Sequence, residues 1–146
     1  MKIARAMKKI AILKGSIADL GKRMQSCIAT LSENDYDENF NELLETLKEK
    51  VGQLIDLKCQ IMKANISSGN FRRVLEIGEK KSLLTQISGL EIKVGKCAAD
   101  RWSDEKTATW KSQLTVAERN ALKDTLQQEV MALSDQLDDF NAETDI

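Results

Sequence analysis

Between Ile3 and Leu31 an apolar residue returns every seven positions, at Ile3, Ile10, Ile17, Met24 and Leu31, and a second set follows three residues behind it at Ala6, Leu13, Leu20 and Cys27. A repeat of seven with alternating three- and four-residue steps is the seam of a long helix packed along another helix, because it keeps one narrow stripe on the same side over many turns. A helix of about 29 residues would be roughly 43 Å long at 1.5 Å per residue. It needs a partner of similar length, and this requirement excludes sandwiches and barrels.

The rest of the chain supplies partners. SENDYDEN at 32–39 breaks the pattern with turn-prone residues, and the acidic run Asp37, Glu38, Glu42 suits a helix N-terminus. A second helix is expected over 38–67, with the seam Phe40, Leu44, Leu47, Val51, Leu54 and Ile61, Lys58 standing where an apolar residue belongs, and Gly69 as its stop. The stripe Leu83, Ile87, Leu90, Val94, Cys97 predicts a third helix over 71–99, preceded by Glu79 and Lys80, which read either as buried polar partners or, the favoured reading, as an ordinary exposed pair. TVAE at 115–118 matches a capping box and opens a fourth helix over 115–141, carrying Leu122, Leu126, Val130, Leu133, Leu137 and Phe140. The expected architecture is all-α: one domain, 1–146, of four long helices forming antiparallel coiled-coil hairpins in an oligomeric bundle.

Composition agrees. Of 146 residues 31% are charged, 42% hydrophobic and 4% aromatic, with no proline and no histidine. Without histidine the commonest general base and metal ligand is missing. A catalyst would have to rest on cysteine, carboxylate or lysine, and no Gly-rich phosphate loop is present. Cys27, Cys59 and Cys97 form no CxxC pair and lie at apolar-stripe spacing, as buried free thiols do. No enzyme activity, cofactor or metal is expected. MKIARAMKKIAILKG is too interrupted by Lys8, Lys9 and Lys14 to serve as a signal sequence, and no apolar run approaches the ~20 residues of a membrane span, so the expected location is cytoplasmic.

Charge is uneven along the chain. Residues 1–32 hold seven basic side chains and one acidic, whereas 112–146 hold two basic and eight acidic. Antiparallel helices would set Lys2, Arg5, Lys8 and Lys9 near Asp135, Asp138, Asp139 and Glu143. With a formal net charge of −1, this neutralisation predicts no general nucleic-acid binding. Gly15, Gly21, Gly52, Gly78, Gly89 and Gly95 fall inside the expected helices, each costing about 1 kcal/mol relative to alanine. Close helix approach and tolerated drift both account for them.

A series of landmarks carries a family resemblance: MKIARAM at the start, IMKAN at 61–65, Glu79–Lys80 followed by LLTQISGL, RWS at 101–103 and LSDQLDDFNAET at 133–144. Taken in order they resemble the septicolysin family of small bacterial helical proteins over nearly the whole chain. The connection after Asn65 is shorter than in typical members, and Asn141 is followed by Ala142 where the family has a tryptophan. The resemblance implies a fold of long antiparallel helices and no activity, the family being largely of unknown function.

One stretch has no helical pattern, RWSDEKTATWKSQ at 101–113, and it holds both tryptophans. Arg72 and Arg73 lie in the connection before the third helix; Arg101, Trp102, Trp110 and Lys111 lie in the one after it. In a simple bundle these sit at opposite ends of the third helix, so only a junction between copies would join them. Guanidinium groups hold phosphate or carboxylate and tryptophan faces stack on flat rings. Two functions are therefore expected from different classes: an oligomeric non-enzymatic binding or scaffold protein, or a binder of a small flat anion such as a nucleotide at such a junction. Against the second stands the simpler reading that Trp102 and Trp110 seal the bundle end.

Overall fold

The computed structural model describes residues 1–98 and 107–146. Among these the elements run α1 (Ile3–Cys27), α2 (Phe40–Ser67), α3 (Asn70–Ser88), β1 (Gly95–Ala98), β2 (Thr107–Trp110) and α4 (Val116–Glu143). Among the described residues the protein is all-α apart from one two-stranded antiparallel ribbon. The chain divides into two compact units, Met1–Phe71 with Leu137–Ile146, and Arg72–Gln136.

In the first unit α1 and α2 form the antiparallel hairpin that the heptads require. Ala6, Leu13 and Leu57 make one buried cluster with Ile10, Leu54 and Ile61 against it. Leu20, Cys27 and Leu43 make another with Met24, Phe40 and Leu47. All four members of the expected set Ala6, Leu13, Leu20, Cys27 are buried. On α2 the inward positions are Phe40, Leu43, Leu47, Lys50, Leu54, Leu57, Ile61 and Ala64, which shifts part of the expected seam by one residue. Leu43 replaces Leu44 as the buried member, and Val51 faces outward. Lys58 is no exception to the seam, because Leu57 occupies that place.

The helix ends follow local chemistry. α1 stops at Cys27 rather than Leu31, since Cys27 already packs in the cluster that Phe40 joins and Ile28 and Leu31 are exposed. Asn39 caps α2, its Oδ1 accepting from the backbone N–H of Asn41 (2.9 Å) and Glu42 (3.3 Å). Glu38, just before it, accepts from Arg23 of α1 through Nε at 3.0 Å and through Nη2. These hydrogen bonds hold the Glu38 carboxyl below its usual range and push the Arg23 guanidinium up. Gly69 stops α2 as expected: its φ of +73° is a conformation that side chains disfavour, and its N–H returns to the Ile66 carbonyl at 3.1 Å. Immediately beyond, buried Asn70 donates to Asn65 Oδ1 at 2.9 Å.

The C-terminal residues of α4 belong to this same unit and carry the chain back to its start. Ile3 N–H donates to the Thr144 carbonyl at 3.0 Å and Ile146 N–H to the Met1 carbonyl at 2.9 Å. Lys2 Nζ reaches Asp145 at 2.7 Å and the N-terminal ammonium reaches it at 3.3 Å. Hydrogen bonds from Lys2 and the N-terminus hold the Asp145 carboxyl below its usual range. The charge asymmetry thus does bring basic start to acidic end, but through Lys2 and Asp145 rather than through the carboxylates expected within the helix.

In the second unit α3 and α4 also run antiparallel: Lys80 pairs with Glu129, and Arg119 near the start of α4 donates to the carbonyl of Leu90 just past α3. Lys80 is therefore a half-buried cross-helix partner, not half of an exposed local pair. Ile77 is the buried apolar residue of α3 among the described residues. The capping box forms in both directions, Thr115 N–H to Glu118 Oε2 at 2.9 Å and Glu118 N–H to Thr115 Oγ1 at 3.1 Å.

The third helix is shorter than the expected 71–99. It ends at Ser88, and Val94 and Cys97, read as its last stripe positions, lie beyond it, with Cys97 in β1. Gly95 has φ +79°, which no helix accommodates, and a Cβ there would meet nothing within 4 Å, so backbone conformation rather than crowding makes it glycine. Facing it, TATW supplies β-branched and aromatic residues suited to a ribbon. Gly15, Gly21, Gly52 and Gly78 do lie in helices, and a Cβ at each would likewise meet nothing within 4 Å. Close approach within the chain does not account for them.

Candidate functional site

The ribbon places Trp110 opposite Gly95, and Lys96 opposite Thr109. The segment leading into β1 turns back on the residues leaving β2. Ser112 Oγ donates to the Lys93 carbonyl at 2.9 Å and accepts from the Lys93 N–H at 3.0 Å. With its backbone so clasped, Lys93 lays its ammonium 4.8 Å from the centre of the Trp110 ring. Glu91 lies 3.4 Å from the same ammonium. Arg119, in the first turn of α4, donates from Nη1 to the Leu90 carbonyl at 3.1 Å and from Nη2 to Asn120 Oδ1 at 3.4 Å.

Two donors in this region are buried without a partner among the described residues, Trp110 Nε1 and Arg119 Nε. A buried donor left unmade is costly, about 1–3 kcal/mol. Both are N–H groups, and one belongs to a fixed positive charge, so the chemistry here calls for an acceptor such as a carbonyl, carboxylate or phosphate oxygen. Lys93 covers part of the Trp110 ring and would have to move before a flat ring could stack on that face.

The residues singled out in the sequence do not converge. Arg72 is largely exposed and pairs along its own helix with Glu76 at 3.0 Å. Arg73 is half-buried and engaged. Both stand at the start of α3, and the helix carries the chain roughly 24 Å before the ribbon segment begins. Trp110 lies on β2 and Lys111 is exposed just after it. Arg101 and Trp102 lie outside the described residues. The side chains that organise the region, Lys93, Ser112 and Arg119, were not among those expected. A signal for Arg119 existed: stepping the α4 seam back from Val130 and Leu126 by three and four residues reaches Lys123 and then Arg119, polar side chains at inward positions.

Among the described residues no group of three or more histidine, cysteine, aspartate or glutamate side chains is placed to hold a metal ion. None of the described helices is long and apolar enough to cross a membrane.

No protein-family model and no curated protein matches the chain. Among solved structures it is similar to a functionally unknown conserved protein from Corynebacterium diphtheriae, with a TM-score of 0.70 at 16% identity, covering 99% of this chain and 97% of that one. The likeness extends over both chains almost entirely, and at this identity it concerns the fold alone.

Proposed function

We infer that this protein is a non-enzymatic helical binding or scaffold module that acts as an oligomer in the cytoplasm. The observation that carries this reading is the contrast between narrow seams and wide apolar flanks. Long helices in pairs bury a single stripe each, and among the described residues large apolar side chains remain exposed on every long helix, including Ile12, Ile55, Leu75 and Met131. Apolar surface of this kind marks an interaction site where it gathers into one patch of several hundred Å². The kinship with the septicolysin family belongs to this proposal, as do the coiled-coil character of the hairpins and the absence of catalysis. Light scattering on the intact chain tests it: an oligomer at micromolar concentration is expected, and a monomer of 16.4 kDa throughout would overturn it.

A second reading, binding of a small anion, draws support from the unpartnered Trp110 and Arg119 donors. Its site is the base of the ribbon, with Lys93, Trp110, Lys111 and Arg119 as the contributing residues in place of a set that includes Arg72 and Arg73. A thermal-shift screen against nucleotides and carboxylates tests it. A ligand at a hundred times its dissociation constant stabilises by about 2.7 kcal/mol, which a chain of this size registers as several degrees.

A further inference from the structure

Arg119 carries an unused binding edge. The Nε–H and Nη2–H of a guanidinium point the same way and form the fork that takes a two-oxygen anion in parallel hydrogen bonds. Nη1 lies on the other side and is committed to the Leu90 carbonyl at 3.1 Å. On the fork, Nε is buried without a partner among the described residues, and Nη2 reaches only the side-chain oxygen of the next residue, Asn120, at 3.4 Å. That is longer than the ~2.7–3.2 Å of a well-made N–H···O bond. The second orphaned donor, Trp110 Nε1, belongs to the same short segment: Leu90 holds Arg119, while Lys93 and Gly95, a few residues on, face Trp110.

Charge and shape narrow the ligand. The half-buried Arg119 has only neutral acceptors among the described residues, a carbonyl and an amide oxygen, whereas Lys93 already has Glu91 at 3.4 Å. One partly buried positive charge therefore lacks a counter-charge. A monoanion balances it; a phosphate monoester, at about −1.5 to −2 near pH 7, exceeds it. The planar fork matches the two oxygens of a carboxylate. Beside it the surface is apolar, with Leu90 and Val94 43 and 69% exposed and the Trp110 ring half-buried.

We propose that the base of the ribbon binds a small monocarboxylate with an apolar body, its two oxygens accepting from Nε–H and Nη2–H of Arg119, with Trp110 Nε1–H as a further donor. The proposal deepens the small-anion reading above and rests on it. Neither orphaned donor atom is open to solvent, so binding displaces what now lies against them. The Asn120 amide gives up Nη2, and the Lys93 ammonium, 4.8 Å from the ring centre, swings off Trp110 toward solvent.

The test uses the full chain and two probes that share a ring and differ in the anion, benzoate and phenyl phosphate, titrated by calorimetry. Benzoate should bind roughly tenfold more tightly or better. Arg119→Lys keeps the charge and removes the fork, and should weaken benzoate by about tenfold or more. Trp110→Phe keeps a ring and removes the N–H, and should weaken it severalfold. Asn120→Ala frees Nη2 and should tighten it; Asn120 is exposed, so this variant carries the test if Arg119→Lys fails to fold by circular dichroism. Benzoate affinity unchanged in any folded one of these variants, or a preference for phenyl phosphate, overturns this site and leaves the small-anion reading standing. Silence of both probes overturns this site, and the small-anion reading falls with it if the nucleotide screen is silent as well.

Discussion

Leu57→Ala tests the hairpin register directly. Leu57 is 7% exposed and packs with Ala6 and Leu13, so the substitution strips three buried carbon atoms from the seam. At about 0.8 kcal/mol per buried methylene the transfer loss is ~2.4 kcal/mol. The void it leaves adds to that, and buried leucine truncations span ~2.7–5 kcal/mol. A narrow seam between two helices collapses more readily than a deep core, which places the expectation near 3 kcal/mol. In a chain of this size that lowers Tm by about 10 °C. The neighbouring change, Lys58→Ala, removes an exposed side chain and should stay within about 0.5 kcal/mol. Urea unfolding followed by circular dichroism at 222 nm and at low protein concentration, where association contributes least, measures both. A large loss at Lys58 with a small one at Leu57 would refute the register and restore the frame in which Lys58 interrupts the seam.

Acid should loosen the ends of the first unit before its middle. Glu38 and Asp145 have carboxyls held below their ordinary values by Arg23 and by Lys2 with the N-terminus; a lowered folded-state pKa stabilises above the unfolded value and is lost as pH falls through the folded one, so the loss lies below about pH 4. Asp145→Asn should remove its share of that acid sensitivity, read as a flatter slope of stability against pH, and an unchanged slope would argue against the clasp. Gly15→Ala and Gly78→Ala should each stabilise by about 1 kcal/mol in thermal melts, because both sit in helices where a Cβ meets open space; destabilisation would reveal a contact the single chain lacks. Titration with random duplex DNA at 50 mM salt should show no binding with a steep salt slope.

How far the fold was legible depended on the range of the forces involved. The heptads of α1 marked Ala6, Leu13, Leu20 and Cys27 as buried, the Thr115–Glu118 box opened α4, and Gly69 closed α2. Each of these is written within one or two helical turns, where side-chain spacing and backbone hydrogen bonding alone decide the outcome. The frame of α2 was harder, since Leu43 and Leu44, or Leu57 and Val51, satisfy apolar periodicity almost equally. Only the packing of a partner helix chooses between rows about 100° apart.

The ribbon and the grouping around Trp110 lay further from view. Leu90, Val94 and Cys97 continue a helical spacing by accident, while Gly95 and the TATW strand favour a turn and an extended pair, and that contest is settled by hydrogen bonds to residues fifteen positions away. Lys93 over Trp110 and Ser112 on the Lys93 backbone are likewise long-range contacts with no mark in local sequence, and for Arg119 the α4 seam marked the inward position but not its Leu90 partner. Helix content and the seam of α1 follow from a periodic chain without proline or histidine, because periodicity is local information. The frame of α2, the end of α3 and the company of Trp110 waited on tertiary contacts, because there several local conformations of similar free energy compete and only the surrounding chain distinguishes them.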